Sequence, residues 1–382
     1  MKYRKLGKTE KSISTIGLGC MRLPTKDNLQ MSQNIDEIET TKMIEYAIEN
    51  GINYFDTAYP YHGGKSEVVI GKILNNFKRN EFYLATKSPV WFINSEGDFT
   101  RLLEEQLTKL KFDYIDFYLL HSLDSNRWNN IVKKYNVLSE LEDAKQKGLV
   151  KHIGFSFHDS FDVFKSIIDE YDKWEFCQVQ YNYMDIENQA GKKGVDYAFA
   201  KDLGVIIMEP LRGGRLANPP ENVKAIINSY KPLRIPQEWA MRWLWSQKEI
   251  STVLTGSSNL EQLKQNIDFV NNAIDFEFSN EDLELIKKVK KAYLDRIKID
   301  CTKCNYCLPC PNGVNIPRNF ELYNDVFIYE NPIPPRMTYQ RFMPDIEKAS
   351  NCIQCEECES KCPQKLEISK LLLSVDEELS KK

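Results

Sequence analysis

Alternation between two kinds of segment is the feature that most restricts what this chain can fold into. From residue 12 to about residue 275, short apolar runs rich in β-branched and aromatic residues are followed by longer stretches with helical periodicity. Several runs are apolar almost throughout, as strands buried on both faces should be. The eight runs cover residues 15–19, 52–58, 82–87, 114–121, 150–157, 176–182, 204–210 and 252–256.

Eight strand-then-helix units predict an α/β fold, namely a (β/α)8 TIM barrel, which typically needs about 250 residues. A doubly wound open sheet is the alternative. Such sheets usually have fewer units, and no G-x-G-x-x-G follows the first strand here. Residues 3–6 are interpreted as a short hairpin arm ahead of the barrel.

Start and stop signals predict several helices between and after these strands. Asn34 to Glu37 open the first helix, with Ile38, Met43, Ile44 and Ile48 as its apolar positions, and Gly51 closes it. Asp159 or Ser160 caps the helix after the fifth strand. Further helices are predicted at 130–147 with Gly148 behind it, at 280–294, and at 368–379 as an amphipathic tail helix.

The cysteines point to a second module. Two of the ten, Cys20 and Cys177, are solitary, and we interpret them as small buried hydrophobes. The other eight follow residue 300 as two groups of four, and tight C-x-x-C spacing in a long cytoplasmic chain indicates metal rather than disulfides. The groups are Cys301, Cys304, Cys307 and Cys310, and Cys352, Cys355, Cys358 and Cys362.

The second group has the spacing C-x2-C-x2-C-x3-C-P of bacterial ferredoxins, which hold [4Fe–4S] clusters and whose fourth cysteine ligates the other cluster. Carried over to this chain, Cys362 joins the first three cysteines of the first group, and Cys310 joins the first three of the second. The first group departs from the pattern, with two residues instead of three before its C-P. A zinc ribbon is the alternative, but it needs two C-x-x-C pairs separated by a longer loop.

We therefore predict a barrel domain at residues 1–294 and a small, mostly helical, ferredoxin-like iron–sulfur domain at 295–382. With 51 basic and 55 acidic residues there is no basic excess, so a nucleic-acid partner is not expected. No apolar run reaches the ~18 residues of a membrane helix, and the N-terminus shows no apolar signal segment. We expect a cytoplasmic protein.

Chemistry in such barrels lies at the C-terminal ends of the strands. Those ends carry Asp56 and Tyr61 after the second strand, Lys87 at the end of the third and His121 at the end of the fourth. Each alone has a structural explanation, such as a loop cap, a surface tyrosine, a solvated strand end or a core histidine. Because the ends of barrel strands converge on one mouth, we expect the four side chains to meet.

The segments at these ends resemble the signature segments of the aldo-keto reductase family. The matching segments are 56–61, 85–87, 114–121, 153–156, 178–182 and 256–259 continuing to Asn266. The resemblance covers about residues 1 to 290, and the C-terminal module resembles a dicluster ferredoxin domain. The resemblance to the aldo-keto reductase family implies an oxidoreductase that reduces a small-molecule carbonyl compound by hydride transfer from NAD(P)H.

In the family's scheme Tyr61 is the general acid that protonates the developing alkoxide. A free tyrosine has a pKa near 10, and the resemblance implies that the Lys87 cation lowers that pKa while Asp56 holds Lys87. His121 donates a hydrogen bond to the carbonyl oxygen. Tyr59 is the competing tyrosine; the family's spacing from the aspartate favours Tyr61.

The resemblance also implies a nucleotide site. Its residues are Gly19, Ser156, Gln178, Met208, Arg212, Ser257, Gln262 and Asn266. Four positions depart from the family's usual pattern. Phe157 follows Ser156 in place of an asparagine, and Met208 stands where an aromatic ring commonly stacks on the nicotinamide. Arg212 either contacts the pyrophosphate or is solvated. Gly256 and Gln262 are uncharged where many members carry Lys and Arg for the 2′-phosphate, so NADH is at least as suitable as NADPH unless Lys264 or Arg215 reaches the phosphate.

Clusters transfer single electrons whereas a nicotinamide transfers a hydride, and a flavin or another redox cofactor normally joins the two. Three hypotheses follow. In the first, the protein is an oxidoreductase whose two [4Fe–4S] clusters exchange electrons during turnover, with or without a flavin or another redox cofactor in the barrel, and with a redox partner such as a ferredoxin. In the second, it is a carbonyl reductase with structural or redox-sensing clusters. In the third, it is an electron-carrying or binding protein on a barrel that has lost its enzymatic activity. The intact Asp56, Tyr61, Lys87 and His121 argue against the last.

Overall fold

A computed structural model describes residues 1–273 and 277–381. Its ten strands are β1 (Tyr3–Lys5), β2 (Ser12–Ser14), β3 (Ile16–Gly19), β4 (Tyr54–Asp56), β5 (Tyr83–Ser88), β6 (Ile115–Leu123), β7 (Val150–Phe157), β8 (Phe176–Gln180), β9 (Gly204–Met208) and β10 (Thr252–Thr255). Strands β3 to β10 form a closed parallel barrel in which each strand pairs with the next and β10 pairs with β3. All eight predicted runs are barrel strands, so the (β/α)8 prediction is confirmed and the open sheet is excluded.

Fifteen α-helical segments are found in the described part of the chain. They are α1 (Glu37–Glu49), α2 (Lys65–Leu74), α3 (Asp98–Leu110), α4 (Ser125–Arg127), α5 (Val137–Gln146), α6 (Phe161–Glu170), α7 (Gly191–Ala200), α8 (Glu221–Asn228), α9 (Pro236–Trp245), α10 (Leu260–Asn271), α11 (Asn280–Leu294), α12 (Ile316–Ile328), α13 (Ile333–Met337), α14 (Glu357–Ser360) and α15 (Ile368–Leu379). No helix in residues 1–273 or 277–381 combines the length and the apolar character needed to cross a membrane.

The chain packs into two compact units. One comprises Met1–Gly213 and Gln237–Phe278 and contains the barrel; the other comprises Gly214–Pro236 and Ser279–Lys382 and contains both cysteine groups. The second unit therefore includes α8, which follows the seventh barrel strand in sequence. Because these units follow spatial packing, they do not test the boundary at residues 294 and 295, which stays a prediction.

The hairpin of β1 and β2 covers the N-terminal end of the barrel. Tyr3 to Lys5 pair antiparallel with Ser12 to Ser14, as the predicted arm requires. Leu6 and Ile13 are buried in one cluster with Tyr54, Phe117 and other barrel residues. Gly204, the first residue of β9, packs directly against Leu6. The C-terminal ends of the strands are left for the site.

Local signals in the sequence predicted some helix ends correctly and failed in two places. The Asp36 carboxylate accepts from two backbone amides at the start of α1, and Gly51 behind it has φ +86°. Ile38 is 71% exposed, so its assignment to the apolar face was wrong. The helix predicted at 130–147 was also wrong in its first half, because Asn136 is left-handed (φ +52°) and α5 starts only after it. The predicted 280–294 and 368–379 helices are confirmed as α11 and α15.

Candidate functional site

A buried ion pair lies at the C-terminal ends of β4 and β5. Asp56 ends β4 and Lys87 lies near the end of β5, and their residues are 2% and 1% exposed. The Lys87 Nζ atom donates to Asp56 Oδ1 at 2.6 Å, to the Thr57 carbonyl at 2.8 Å and to the Tyr61 hydroxyl at 3.3 Å. The three protons of the ammonium group thus have three different acceptors, and one of these is the predicted acid.

The two candidate tyrosines point in different directions. Tyr61 begins the tight turn Tyr61–Gly64 after β4, and its hydroxyl lies at Lys87. The Tyr59 hydroxyl instead donates to Glu105 Oε1 on α3 at 3.0 Å, and the Lys109 amine lies 3.8 Å from the centre of the Tyr59 ring. This geometry supports the choice of Tyr61 over Tyr59.

Burial and charge act in opposite directions on the pKa values of Tyr61, Asp56 and Lys87. Burial raises the pKa of Tyr61, and Lys87 opposes this shift without reversing it. The Lys87 cation thus lowers the pKa of Tyr61 as expected, but desolvation of the phenolate is the larger effect. Burial likewise raises the pKa of Asp56 against the effect of Lys87. Burial alone would lower the pKa of Lys87, but Asp56 and Tyr61 raise it on balance.

His121 and an aromatic side chain complete this side of the mouth. The His121 ring lies 6.1 Å from the Tyr61 ring and 5.0 Å from the Trp91 ring, between centroids. Burial and then Lys87 lower the pKa of His121 far below its usual value, so the imidazole is neutral. The Nδ1 atom is buried and has no hydrogen-bond partner among the described residues. Trp91 was not predicted; its signal was an aromatic pair directly after the third strand.

Gly19, Ser156, Gln178 and Met208 also lie at the strand ends. Gly19 pairs with Asp56 in register, and Met208 pairs with Gln180. The Ser156 hydroxyl accepts from the Ser122 amide at 2.7 Å. Gln178 Nε2 donates to Asp56 Oδ2 at 3.2 Å, whereas its buried Oε1 has no partner within the described chain. These predicted residues therefore lie at the same end of the barrel as the ion pair. Their contacts with a ligand remain predictions.

Ser257, Gln262 and Asn266 build the turn into α10. Asn266 Nδ2 donates to Ser257 Oγ at 3.0 Å and to Thr255 Oγ1 at 2.8 Å. Gln262 Oε1 accepts from the Ser258 amide at 3.0 Å. These side chains shape the turn that follows β10.

Two arginines flank this region. Arg212 is not solvated, because its Nε lies 3.1 Å from Oδ2 of the buried Asp185, which also accepts from Gln180 and Asn182. Arg22 was missed by the sequence reasoning, although it follows the first strand closely. A Cβ placed on Gly256 would lie 3.6 Å from Arg22 Cδ, and one on Gly213 would lie 3.3 Å from Arg22 Nη2, so the Arg22 side chain passes Gly256 and its guanidinium group faces Gly213.

The cations proposed from sequence as substitutes lie elsewhere. The Lys264 amine is 5.5 Å from the centre of the Tyr46 ring. Arg215 pairs with Asp325 Oδ2 at 2.5 Å within the second unit.

A buried polar network behind β5 was also missed. Glu67 Oε1 accepts from Thr86 Oγ1 at 2.7 Å and from Gln106 Nε2 at 2.5 Å. Gln106 in turn donates to the Lys87 carbonyl at 3.0 Å and accepts from the Tyr118 hydroxyl at 2.6 Å. Burial raises the pKa of Glu67. The network holds the backbone of Lys87; in the sequence these residues looked like ordinary helix and strand positions.

Cys301, Cys304, Cys307 and Cys362 line one cavity in the second unit, together with Ile316 and Phe320. Burial, and then the neighbouring Cys301, Cys304 and Cys362, raise the pKa of Cys307 to about 11. The first three cysteines of the first group are thus neighbours of the last cysteine of the second group. The solitary Cys20 and Cys177 are buried.

Fewer contacts connect the remaining four cysteines, which are Cys310, Cys352, Cys355 and Cys358. Burial and then Glu359 and Cys352 raise the pKa of Cys358 to about 11. The Asn312 side chain, two residues after Cys310, donates to the Asn351 carbonyl next to Cys352. Within residues 1–273 and 277–381, no three Cys, His, Asp or Glu side chains converge as a single metal ion would require.

Comparison with known proteins places the two parts of the chain. The profile of the "Aldo/keto reductase family" matches residues 15–291, and the profile of the "4Fe-4S dicluster domain" matches residues 300–366. The family resemblance seen in the sequence is therefore confirmed for both parts.

Individual relatives are distant. The "Uncharacterized oxidoreductase YqkF" of Bacillus subtilis is 28% identical over 301 residues, covering 71% of this chain and 92% of the relative. The "NADH-specific methylglyoxal reductase" of Escherichia coli is 24% identical over 338 residues, covering 76% and 99%. The solved structure of the aldo-keto reductase AKR11C1 from Bacillus halodurans in its holo form superposes with a TM-score of 0.61 at 24% identity, covering 76% of this chain and 96% of that one.

Proposed function

The chain belongs to the aldo/keto reductase family and is an oxidoreductase, and we propose that its barrel reduces a small-molecule carbonyl compound with NADH or NADPH. We further propose two [4Fe–4S] clusters for electron transfer in its C-terminal part. The observation that carries the first proposal is the contact of Lys87 with both Asp56 and the Tyr61 hydroxyl in a buried site.

Tyr61 supplies the proton in this proposal. Its phenol is protonated at neutral pH, since the ordinary pKa of tyrosine lies near 10 and burial raises the pKa of Tyr61 further. As negative charge develops on the carbonyl oxygen, the phenol donates its proton there, and Lys87 stabilises the phenolate that remains. Asp56 keeps the ammonium group in place and offsets its charge before the reaction. The nicotinamide supplies the hydride when it is bound.

His121 orients the carbonyl group. Since its imidazole is neutral, it offers an uncharged N–H donor beside the Tyr61 ring. Trp91 packs against His121 and, as part of the same wall, favours an apolar portion of the substrate.

The donors and acceptors at the strand ends fit a nicotinamide carboxamide. Gln178 Oε1 is a buried acceptor with no partner in the described chain, which is costly unless a ligand N–H satisfies it. Ser156 lies on the neighbouring strand, and Met208 offers a soft apolar surface in place of an aromatic ring. Gly19, Arg212 and the turn of Ser257, Gln262 and Asn266 flank the same mouth and are proposed to hold the rest of the nucleotide, with Arg22 in addition.

The donor set of the second unit fits clusters. Four thiols share one cavity, and thiolates are the usual ligands of [4Fe–4S] clusters. We propose the crossed arrangement for both sites, with Cys310 completing the group of Cys352, Cys355 and Cys358. When bound, such clusters transfer one electron each. Such thiol-rich sites suit the reducing cytoplasm.

Exposed Cys304 and Cys355 place one edge of each group at the surface. This exposure supports exchange of electrons with a partner such as a ferredoxin. A flavin in the barrel would be the intermediate carrier in that case. Structural or redox-sensing clusters are the alternative.

Electron paramagnetic resonance on the anaerobically purified protein tests the proposal. The spectrum is recorded before and after NADH or NADPH is added, and methylglyoxal serves as the test carbonyl for turnover. Turnover with silent clusters supports the carbonyl reductase with structural or sensing clusters. Cluster signals that appear on adding the nucleotide support electron exchange, and absence of nucleotide oxidation with methylglyoxal and with other aldehydes would contradict carbonyl reduction.

A further inference from the structure

The chain reverses direction immediately after Tyr61. His62, Gly63 and Gly64 have φ angles of +52°, +58° and +87°. Glycine adopts this left-handed conformation readily, but a residue with a Cβ does not. His62 is the one residue of the three that carries a Cβ, and its side chain is completely buried.

The His62 imidazole is held by a hydrogen bond to the backbone. Its Nδ1 atom lies 2.7 Å from the carbonyl oxygen of Ser32. Because a carbonyl oxygen only accepts, Nδ1 carries the proton. Nε2 is buried and has no hydrogen-bond partner among the described residues. Burial lowers the pKa of His62 despite the nearby Ser32 and Met21 carbonyls, so the ring stays neutral.

Ser32 belongs to the segment between β3 and α1, here the 25–35 segment, which is itself held in place. A β-bridge joins Thr25 to Ile35 at its base, and Ser32 Oγ donates to Asp27 Oδ2 at 2.6 Å. The Gln33 side chain packs so closely on Gly63 that a Cβ there would overlap it. The Ser32 carbonyl, which accepts the His62 hydrogen bond, is thus held in place by contacts of its own segment.

We propose that His62 is a positioning residue for Tyr61: its Nδ1–H bond to Ser32 fixes the left-handed turn that aims the Tyr61 hydroxyl at Lys87. The inference rests on the proposed role of Tyr61 as general acid. His62 neither touches the substrate nor exchanges a proton with it. A glycine would suit the backbone of this turn better, so the advantage of histidine lies in the side-chain bond.

Two variants separate the bond from the backbone. His62→Gly removes the side chain and also relieves the left-handed strain. His62→Asn keeps a side-chain N–H at a similar position, and asparagine tolerates the left-handed region. Turnover of methylglyoxal is measured with both nucleotides against pH, with nucleotide dissociation constants and iron content as controls for folding.

We expect His62→Gly to lower kcat roughly tenfold or more, because small misplacements of a catalytic group are costly, and to leave nucleotide affinity within about twofold. Once Tyr61 moves away from Lys87, it loses the cation that lowers its pKa, so the alkaline limb of the kcat/KM profile shifts to higher pH. We expect His62→Asn to restore most of the turnover and the original limb.

Unchanged turnover and pH profile in His62→Gly would overturn the inference, and so would equal impairment of both variants. Tyr61→Phe is measured in parallel. An active Tyr61→Phe enzyme refutes the proposed acid itself, whereas an inactive one combined with a normal His62→Gly enzyme refutes only the role of His62.

Discussion

Lys87 donates each of its three ammonium protons to a different acceptor, and this fixes the roles of its neighbours. The carboxylate of Asp56 balances the charge, the Thr57 carbonyl fixes the direction, and the third proton faces the Tyr61 hydroxyl. Tyr59, only two residues earlier, is held by Glu105 on α3. The two tyrosines therefore differ in their partners, since the Tyr61 hydroxyl contacts Lys87 and the Tyr59 hydroxyl contacts Glu105.

Replacing Tyr61 by phenylalanine tests that difference. We expect Tyr61→Phe to lower carbonyl reduction by about 10²–10⁴-fold, the usual contribution of general acid catalysis. Nucleotide binding should be nearly unchanged, since the phenol acts on the developing alkoxide. The matched control is Tyr59→Phe, which should keep near wild-type turnover. If Tyr59→Phe is the inactive variant, the assignment is reversed.

A second prediction concerns Arg22 and the affinity of the protein for NADPH and NADH. Since Gly256 and Gln262 carry no charge, we expect the preference for NADPH over NADH to depend on Arg22, whose side chain passes Gly256 and whose Nη2 faces Gly213. A charge-assisted hydrogen bond contributes about 1.5–3 kcal/mol, and ~1.4 kcal/mol is tenfold in affinity. Arg22→Ala should therefore weaken NADPH binding about tenfold or more and NADH binding much less.

Dissociation constants for both nucleotides at one salt concentration measure this effect. Lys264→Ala is the control, because its amine lies over the Tyr46 ring and should not matter. Equal losses for both nucleotides in Arg22→Ala would show that the arginine contacts a part that they share.

At the scale of elements, the strands were predictable and the loops were not. Most barrel-strand residues are buried, so several strands are apolar over most of their length and the pattern stands out in the sequence. The residues at strand ends, such as Asp56 and His121, follow from that pattern. Trp91 and Arg22 lie in turns after the strands, where spacing carries no period, so only the folded chain shows what they approach.

The segment 214–236 illustrates the same limit and makes a prediction of its own. It follows β9 in sequence but packs in the second unit, where Arg215 pairs with Asp325, a residue 4% exposed. Arg215→Met leaves a buried carboxylate with one partner fewer, which should destabilise this unit by roughly 1–3 kcal/mol.

This loss of stability is measured by anaerobic thermal unfolding, in which the visible absorbance of the clusters is monitored as the temperature rises. Lys287→Met on α11 is the control, because its pair with Glu284 is exposed on both sides. Exposed pairs contribute little to stability. Equal melting of the wild-type protein and Arg215→Met would show that the pair does not hold the segment.

At the scale of the whole molecule, the chain passes between its two units three times, after residues 213, 236 and 278. The oxidoreductase barrel and the cysteine-bearing unit are therefore joined through the loop that follows the seventh barrel strand as well as through the C-terminal connection. The first of these passages comes directly after Arg212, a proposed nucleotide residue. The cysteines themselves also cross in sequence, since Cys362 shares a cavity with Cys301, Cys304 and Cys307.

Double cysteine variants test this crossing. Two [4Fe–4S] clusters require about eight iron and eight sulfide per chain in the wild-type protein prepared without oxygen. In the crossed arrangement Cys301 and Cys362 serve the same cluster, so the Cys301→Ala, Cys362→Ala variant should keep about four iron. Cys352 and Cys362 serve different clusters, so the Cys352→Ala, Cys362→Ala variant should lose nearly all its iron. An uncrossed arrangement, with each sequence group holding its own cluster, gives the opposite result for the two variants, and stoichiometric zinc in the wild-type protein would refute both arrangements.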